Sequence, residues 1–264
     1  MSGAMNIIDY IGQMPAPNKL LRPVLAARFE LRSLDRCFCK GDTVLKGNEQ
    51  FSGRVVSGAL ADVVGRNSCQ PVITELYLPN ELFNLDGIII QGKRSEIISL
   101  SNSLVELVSH DDIQALLCRH PELNAYLWRA SLTNTFRQER WLAQITSRSV
   151  SERLAYLICD MFTRFGRSGN LHGNSIPMPL LQKQVAMMIG CSDIHANRLI
   201  GELRREGLIE WRDGLVSIHN WHQLAHHGGF EFGQPPAMRL ARSGRFSDRR
   251  SIIHRRQART GDGA

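Results

Sequence analysis

The chain lacks any apolar run near the roughly 18 residues that cross a bilayer, and Met1 to Tyr10 carries no basic stretch followed by an apolar one. These absences predict a soluble, cytoplasmic protein that spans no membrane. Its six cysteines (37, 39, 69, 118, 159 and 191) contain no Cys-x-x-Cys pair and lack the density of a disulfide framework. They read as reduced thiols. No Ser-His-Asp arrangement, Walker loop, Gly-rich dinucleotide loop or paired carboxylates on one element is present, so no enzymatic chemistry is expected.

What is present is positive charge and apolar content. The 264 residues carry a formal charge of +7 and a pI near 9.4, and 43% are hydrophobic. Such a chain can bury a sizeable core, as one large domain or two smaller ones. The basic balance favours a polyanionic partner, with nucleic acid, an anionic membrane surface and an acidic protein all compatible.

From Cys37 to about Val108, short β-branched or alternating runs are separated by turn residues, as at Lys40-Gly41-Asp42, Lys46-Gly47-Asn48, Pro79-Asn80 and Gln91-Gly92. Val72 to Leu78 and Ser95 to Leu100 are the clearest strands, and the spacing predicts an antiparallel roll or sandwich. At Ser109-His110-Asp111-Asp112, an acidic helix-opening cluster, the pattern turns helical. Past His120-Pro121 a long helix is predicted from Pro121 to about Ile145, about 37 Å for roughly 25 residues. Leu123, Leu127, Ala130, Asn134, Trp141 and Ile145 lie near one of its faces. That face reads either as part of a connecting helix or as a dimer seam whose register Asn134 fixes.

Ser149-Val150-Ser151-Glu152 fits a capping box. The helix it opens carries an apolar stripe, Leu154, Leu157, Ile158, Met161, Phe162 and Phe165, which reads as core. Gly166 to Pro179 is a loop with room for one short strand. Gln182 to Ile189 then reads as a short helix, Gly190-Cys191-Ser192 as a tight turn, and Asp193 to Glu206 as a second helix closed by Gly207. Ala186 suits a close helix crossing, Gly190 a positive φ, and Ser192 an N-cap. Ile209 to Ile218, about Asp213-Gly214, is a hairpin and makes this unit a winged helix-turn-helix. Its second helix would present Ser192, Asp193, Ile194, His195, Asn197 and Arg198 to a DNA major groove, and Arg212 extends from the wing. Arg198 has the planar fork that matches guanine O6 and N7, although a phosphate clamp is its simpler role; Asn197 suits adenine or a phosphate.

Gln182 to Ile218 resembles the DNA-binding module of the Crp/Fnr (cyclic-AMP receptor and fumarate-nitrate-reduction regulator) superfamily. The likeness lies in Ile189-Gly190-Cys191-Ser192, Leu199-Ile200, Leu203 and Glu206-Gly207-Leu208-Ile209, followed by the wing. Lys40-Gly41-Asp42, Ser52-Gly53 and Leu78 to Gly87 likewise resemble that family's cyclic-nucleotide-binding-like β-roll. The resemblance implies an α+β chain: a β-roll sensor with flanking helices over 1–120, a long dimerisation helix over 121–146 paired through Leu123, Leu127, Asn134, Trp141 and Ile145, and a winged helix-turn-helix over 147–230. It implies a transcription regulator, a homodimer on palindromic double-stranded DNA, with RNA polymerase a further candidate partner. The alternative is a winged-helix module that binds protein and not a specific DNA sequence.

Departures from the family pattern shape the expectations for cofactors. Asn84-Leu85 stands where nucleotide-binding members place Gly-Glu for the ribose, so cyclic-nucleotide binding is not expected, although Arg94-Ser95 occupies the phosphate position and remains the candidate effector pair. Cys37-Phe38-Cys39 reads as two half-buried thiols on a strand and not as part of an iron-sulfur site. Ile194 replaces the usual Glu of the recognition helix, so the half-site should differ from the common one. His219, His222, His226 and His227 read as a surface cluster, not a metal site. The tail over 231–264, with eight arginines from Gly233 onward, is expected to be disordered; it either stays solvated or contacts phosphates without sequence discrimination.

Overall fold

The alternating runs form eight strands, β1 (Leu34–Phe38), β2 (Thr43–Lys46), β3 (Phe51–Ser57), β4 (Leu60–Val64), β5 (Val72–Tyr77), β6 (Leu82–Phe83), β7 (Ser95–Ser99) and β8 (Ser103–Ser109). The structure is a computed structural model that describes residues 33–66, 71–90 and 95–231. The strands pair antiparallel in two four-stranded sheets, ordered β1-β8-β3-β6 and β2-β7-β4-β5. Side chains that alternate inward fill the space between them: Val55, Leu60, Tyr77, Phe83, Ile97 and Val105 are all buried. Arg54 and Glu106, register partners on β3 and β8, form a buried ion pair at 3.1 Å, and Arg54 also donates to Asn80 Oδ1 at 3.0 Å. Neither charge is left unpaired in the dry interior.

Ser109 caps α1 (His110–Arg119) by accepting from the Asp112 N–H at 3.1 Å. Pro121 opens a short 3-10 turn, Pro121–Leu123, in which the Leu123 N–H bonds His120 O. The long helix α2 therefore runs Asn124–Ser147, starting three residues after the predicted proline. At Ser149 the capping box forms in full, with Ser149 N–H donating to Glu152 Oε2 at 2.8 Å and the Glu152 N–H to Ser149 Oγ at 3.3 Å; α3 (Val150–Arg167) follows. After β9 (Ser175–Pro177) come α4 (Gln182–Ile189), α5 (Asp193–Arg205), the hairpin β10 (Ile209–Arg212) and β11 (Leu215–Ile218), and α6 (Trp221–His227). β9 adds a third strand to the wing, in the order β10-β11-β9. One apolar cluster runs from Ala61, Ile73 and Leu76 of the β-roll through α3 to the inner faces of α4, α5 and the wing. This is an α+β fold, with an antiparallel β-roll, a long helix and a C-terminal winged helix-turn-helix.

Two expectations change. The face of α2 assigned to a dimer seam packs on the chain's own body: Leu123, Tyr126 and Ala130 are buried with Leu85, Val108 and Ile113, with Leu127 against them. Asn134 reaches Leu82 O and Arg137, and Trp141 sits 6.2 Å from Tyr156, with Ile145 half-buried on the same side. The outward face instead carries Trp128, Leu132, Phe136 and Leu142, all exposed. Both faces of α2 are apolar in part, so periodicity alone picked the inner one. Cys37 and Cys39 are both exposed, not half-buried, because β1 is an edge strand and its inward residue is Phe38. Cys69, Arg94 and the tail beyond Glu231 lie outside the described residues.

Candidate nucleic-acid interface

The turn between α4 and α5 is set by local chemistry. Gly190 takes the left-handed conformation, φ 74° and ψ 48°, that a β-carbon disfavours. Ser192 then caps α5 by accepting from the His195 N–H at 3.3 Å. Ala196, Leu199, Ile200 and Leu203 bury the inner face of α5 against Val185, Ala186 and Ile189 of α4, which fixes what the opposite face can show. In the wing, Asp213 (φ 51°) and Gly214 (φ 73°) make the tight turn that the Asp-Gly pair predicts.

Ile194 is 84% exposed, and Asn197 and Arg198 stand beside it, also exposed. Arg198 leans on its own helix, with Nη2 3.2 Å from His195 Nε2 and Nε 3.7 Å from Glu202. Such exposed pairs are weak enough to yield to a stronger acceptor. Arg212 projects from the wing and pairs with Glu210 at 2.9 Å, which Arg204 also approaches at 3.1 Å. Ser192, Asp193, Ile194, Asn197, Arg198 and Arg212 are thus all exposed, with His195 half-buried under Arg198.

Two positions on this face escaped the sequence reading. Gly201 and Arg205 continue the outward stripe at the helical spacing from Ile194, Asn197 and Arg198. A β-carbon at Gly201 would meet nothing within 4 Å, so packing does not require glycine there. Its placement in mid-helix on an open face was the available signal.

Beneath the recognition unit, Arg153 of α3 ties three helix ends together. It donates to Ile189 O at 3.0 Å, to Ile145 O at 2.7 Å and to Arg148 O at 3.0 Å, satisfying carbonyls left open at the C-termini of α4 and α2. The position of α4 is thereby linked to the end of the long helix.

In the β-roll, Ser95 is buried at the start of β7. Asn84 has φ 56° and is held by donation from its Nδ2 to Phe51 O and by Ser52 Oγ donating to its carbonyl, each at 2.8 Å. Leu85 beside it is buried. His222 and His226 are exposed on α6, whereas His227 Nε2 lies 2.8 Å from Ser151 Oγ. No helix among the described residues is long and apolar enough to cross a membrane.

Residues 152–227, which span α3 to α6, match the Crp-like helix-turn-helix domain family. The chain is 21% identical over 187 residues to electron transport regulator A of Shewanella oneidensis, covering 70% of this chain and 74% of that protein. It is 19% identical over 220 residues to the fumarate and nitrate reduction regulatory protein of Vibrio cholerae, covering 80% and 88% respectively. Among solved structures, FixK2 from Bradyrhizobium japonicum superposes with a TM-score of 0.67 at 16% identity, over 74% of this chain and 97% of that one. Residues 152–227 are thus a Crp-like helix-turn-helix domain, carried on a β-roll and long helix, and over most of its length the chain is similar to DNA-binding transcriptional regulators of the Crp/Fnr type.

Proposed function

We propose that two copies of this chain pair along the outward face of α2 and that the paired recognition helices read a two-fold symmetric operator in duplex DNA. The observation that carries the reading is the free face of α5: Ile194, Asn197, Arg198 and Arg205 stand outward while the opposite face is locked into the core. Arg198 reads guanine through its fork, Asn197 pairs adenine or a phosphate, and the Ser192, Asp193 and His195 end of the helix enters the groove first. Arg212 reaches a flanking phosphate from the wing. Exposed Ile194 offers no acceptor to a cytosine amine and suits a thymine methyl.

Trp128, Leu132, Thr135, Glu139 and Leu142 recur at spacings of four and three residues, the pattern of a helix-pairing seam, with exposed Phe136 beside them. Pairing there would set half-sites about one helical turn apart. RNA polymerase is the further partner that such a dimer would contact at a promoter. Neither a cyclic nucleotide nor an iron-sulfur cluster is part of this reading; Leu85, beside Asn84, offers no acceptor for a ribose.

Selection of bound fragments from random duplex DNA tests the proposal. Enriched sequences with two-fold symmetry and a half-site spacing near one turn support it. Absence of any enriched sequence would favour a winged helix that binds protein.

A further inference from the structure

Between the β5–β6 turn, the flank of α2 and α3 lies a cleft of about 480 Å³, a size typical of small-molecule sites. Four arginines line it, Arg137, Arg140, Arg164 and Arg167, against two carboxylates, Glu81 and Asp160. Arg164 and Arg137 bond Glu81, and Arg164 Nη1 also donates to Asp160 at 3.0 Å. The acidic groups are therefore already neutralised, and the cleft keeps a surplus of positive charge. Arg167, at the exposed end of α3, completes its basic wall.

The Nε of Arg137 is buried and bonds no acceptor. A buried N–H without a partner is costly in a native protein, and this one belongs to a guanidinium that lines the cleft. The remaining wall is aromatic. Phe136, Tyr156 and Phe230 contribute it, with Tyr156 and Phe230 packed edge to face at 5.2 Å. Burial, assisted by Asp160 and opposed by Arg140, pushes the Tyr156 hydroxyl up to about 12, so it stays protonated at neutral pH.

We infer that this cleft binds a small organic carboxylate with a flat apolar body, the acid group held by the arginines and the body seated on Tyr156 and Phe230. Because the β-roll supplies Glu81 and the DNA-binding half supplies α3, a ligand there contacts both. Its affinity then depends on how they are placed, and its occupancy biases that placement. This coupling rests on the proposed operator binding; the binding of the carboxylate does not.

Titration calorimetry on the full chain, free of DNA, tests the site with benzoate, phenylacetate and 3-phenylpropionate, each against its uncharged amide. Saturable binding of at least one acid, absent for its amide, is expected. Arg167→Ala should weaken it at least tenfold, with Arg167→Lys recovering part of the loss, and Thr163→Phe, which fills the cleft, should abolish it. Arg167 is exposed, so an unchanged melting temperature is expected for its variants and separates lost binding from lost fold. No saturable binding of any of the three acids, equal binding of acid and amide, or full affinity in both Arg167→Ala and Thr163→Phe would overturn the site. Carboxylate binding that leaves operator affinity unchanged would overturn the coupling alone; carboxylate binding by a chain that selects no operator would overturn the operator reading and leave the site standing.

Discussion

Arg164 of α3 holds Glu81 of the β5–β6 turn in a two-pronged grip, Nε to Oε1 at 2.8 Å and Nη2 to Oε2 at 2.6 Å. The same guanidinium donates to Leu76 O, and Arg137 of α2 reaches Glu81 at 3.1 Å and Glu75 at 3.4 Å. Three elements meet at one charged knot, two carboxylates from the β-roll facing arginines from the long helix and the DNA-binding half. Removing one member leaves the others charged and dry. Arg164→Met should therefore destabilise the chain by roughly 3–5 kcal/mol, and an Arg164→Met/Glu81→Leu double variant should recover much of that, because the stranded charge goes too. Urea denaturation midpoints measure both.

The two carboxylates of the knot should give stability a pH optimum. Burial raises the Glu75 pKa to about 7 against the pull of Arg137 and Arg164, with Glu81 and Asp160 adding to the rise. Its folded form thus holds a proton more tightly than the unfolded chain, a contribution complete below about 4.5 and lost as pH rises through about 7. Glu81 behaves oppositely: burial would raise it, but Arg137 and Arg164 overcome that and hold it at about 2. Its contribution is present above about 4.5 and fades as pH falls toward 2. Thermal melts should show greatest stability near pH 4.5, and Glu75→Gln should flatten the decline between about pH 5 and 8.

Arg198→Ala should cost operator binding about 1–3 kcal/mol and relax preference at one base pair of each half-site, leaving the melting temperature within a degree or two. Arg212→Ala should weaken binding alike on all sequences and reduce its salt dependence. Fluorescence anisotropy on a panel of single-base operator variants separates the two patterns.

Gly201→Ala should act in opposite directions on fold and function. Nothing lies within 4 Å of the added methyl, and alanine in mid-helix is favoured over glycine by about 0.5–1 kcal/mol. The chain should melt higher and bind its operator less tightly, since the methyl stands on the groove-facing stripe. A gain in both would remove Gly201 from the interface.

Leu132→Glu places a charge in the middle of the outward stripe of α2 near Glu139. Sedimentation should shift from dimer to monomer while the circular dichroism spectrum is unchanged. A monomeric wild type at tens of micromolar, or a dimer unaffected by the substitution, would move the pairing surface elsewhere.

The local parts of this architecture were legible because their signals act over a few residues. Ser149 with Glu152, Gly190, Ser192 and the Asp213-Gly214 pair each dictate a backbone geometry by themselves, and each appears where the spacing placed it. What depends on distant partners was not legible. Glu81 and Arg164 are 83 residues apart, and nothing in either neighbourhood announces the other. On α2, Leu123 and Ala130 on one side and Trp128 and Leu132 on the other carry equally good helical periods; only the packed β-roll decides which side is already taken. Gly201 was passed over because a glycine inside a helix reads as a weakness until the surrounding space is seen to be empty.

Leu85, which by the resemblance of the β-roll turns stands where a nucleotide-binding member would place its glutamate, sits in the cluster formed by Val108, Ile113 and Leu116. An acid placed there would thrust an ionised group among hydrocarbon side chains, at a penalty of several kcal/mol. Seating it would first require loosening the junction of β-roll and α1. The leucine acts as a lock: with the packing closed around it, no single-letter change puts a sugar-binding carboxylate at this position without unseating its neighbours.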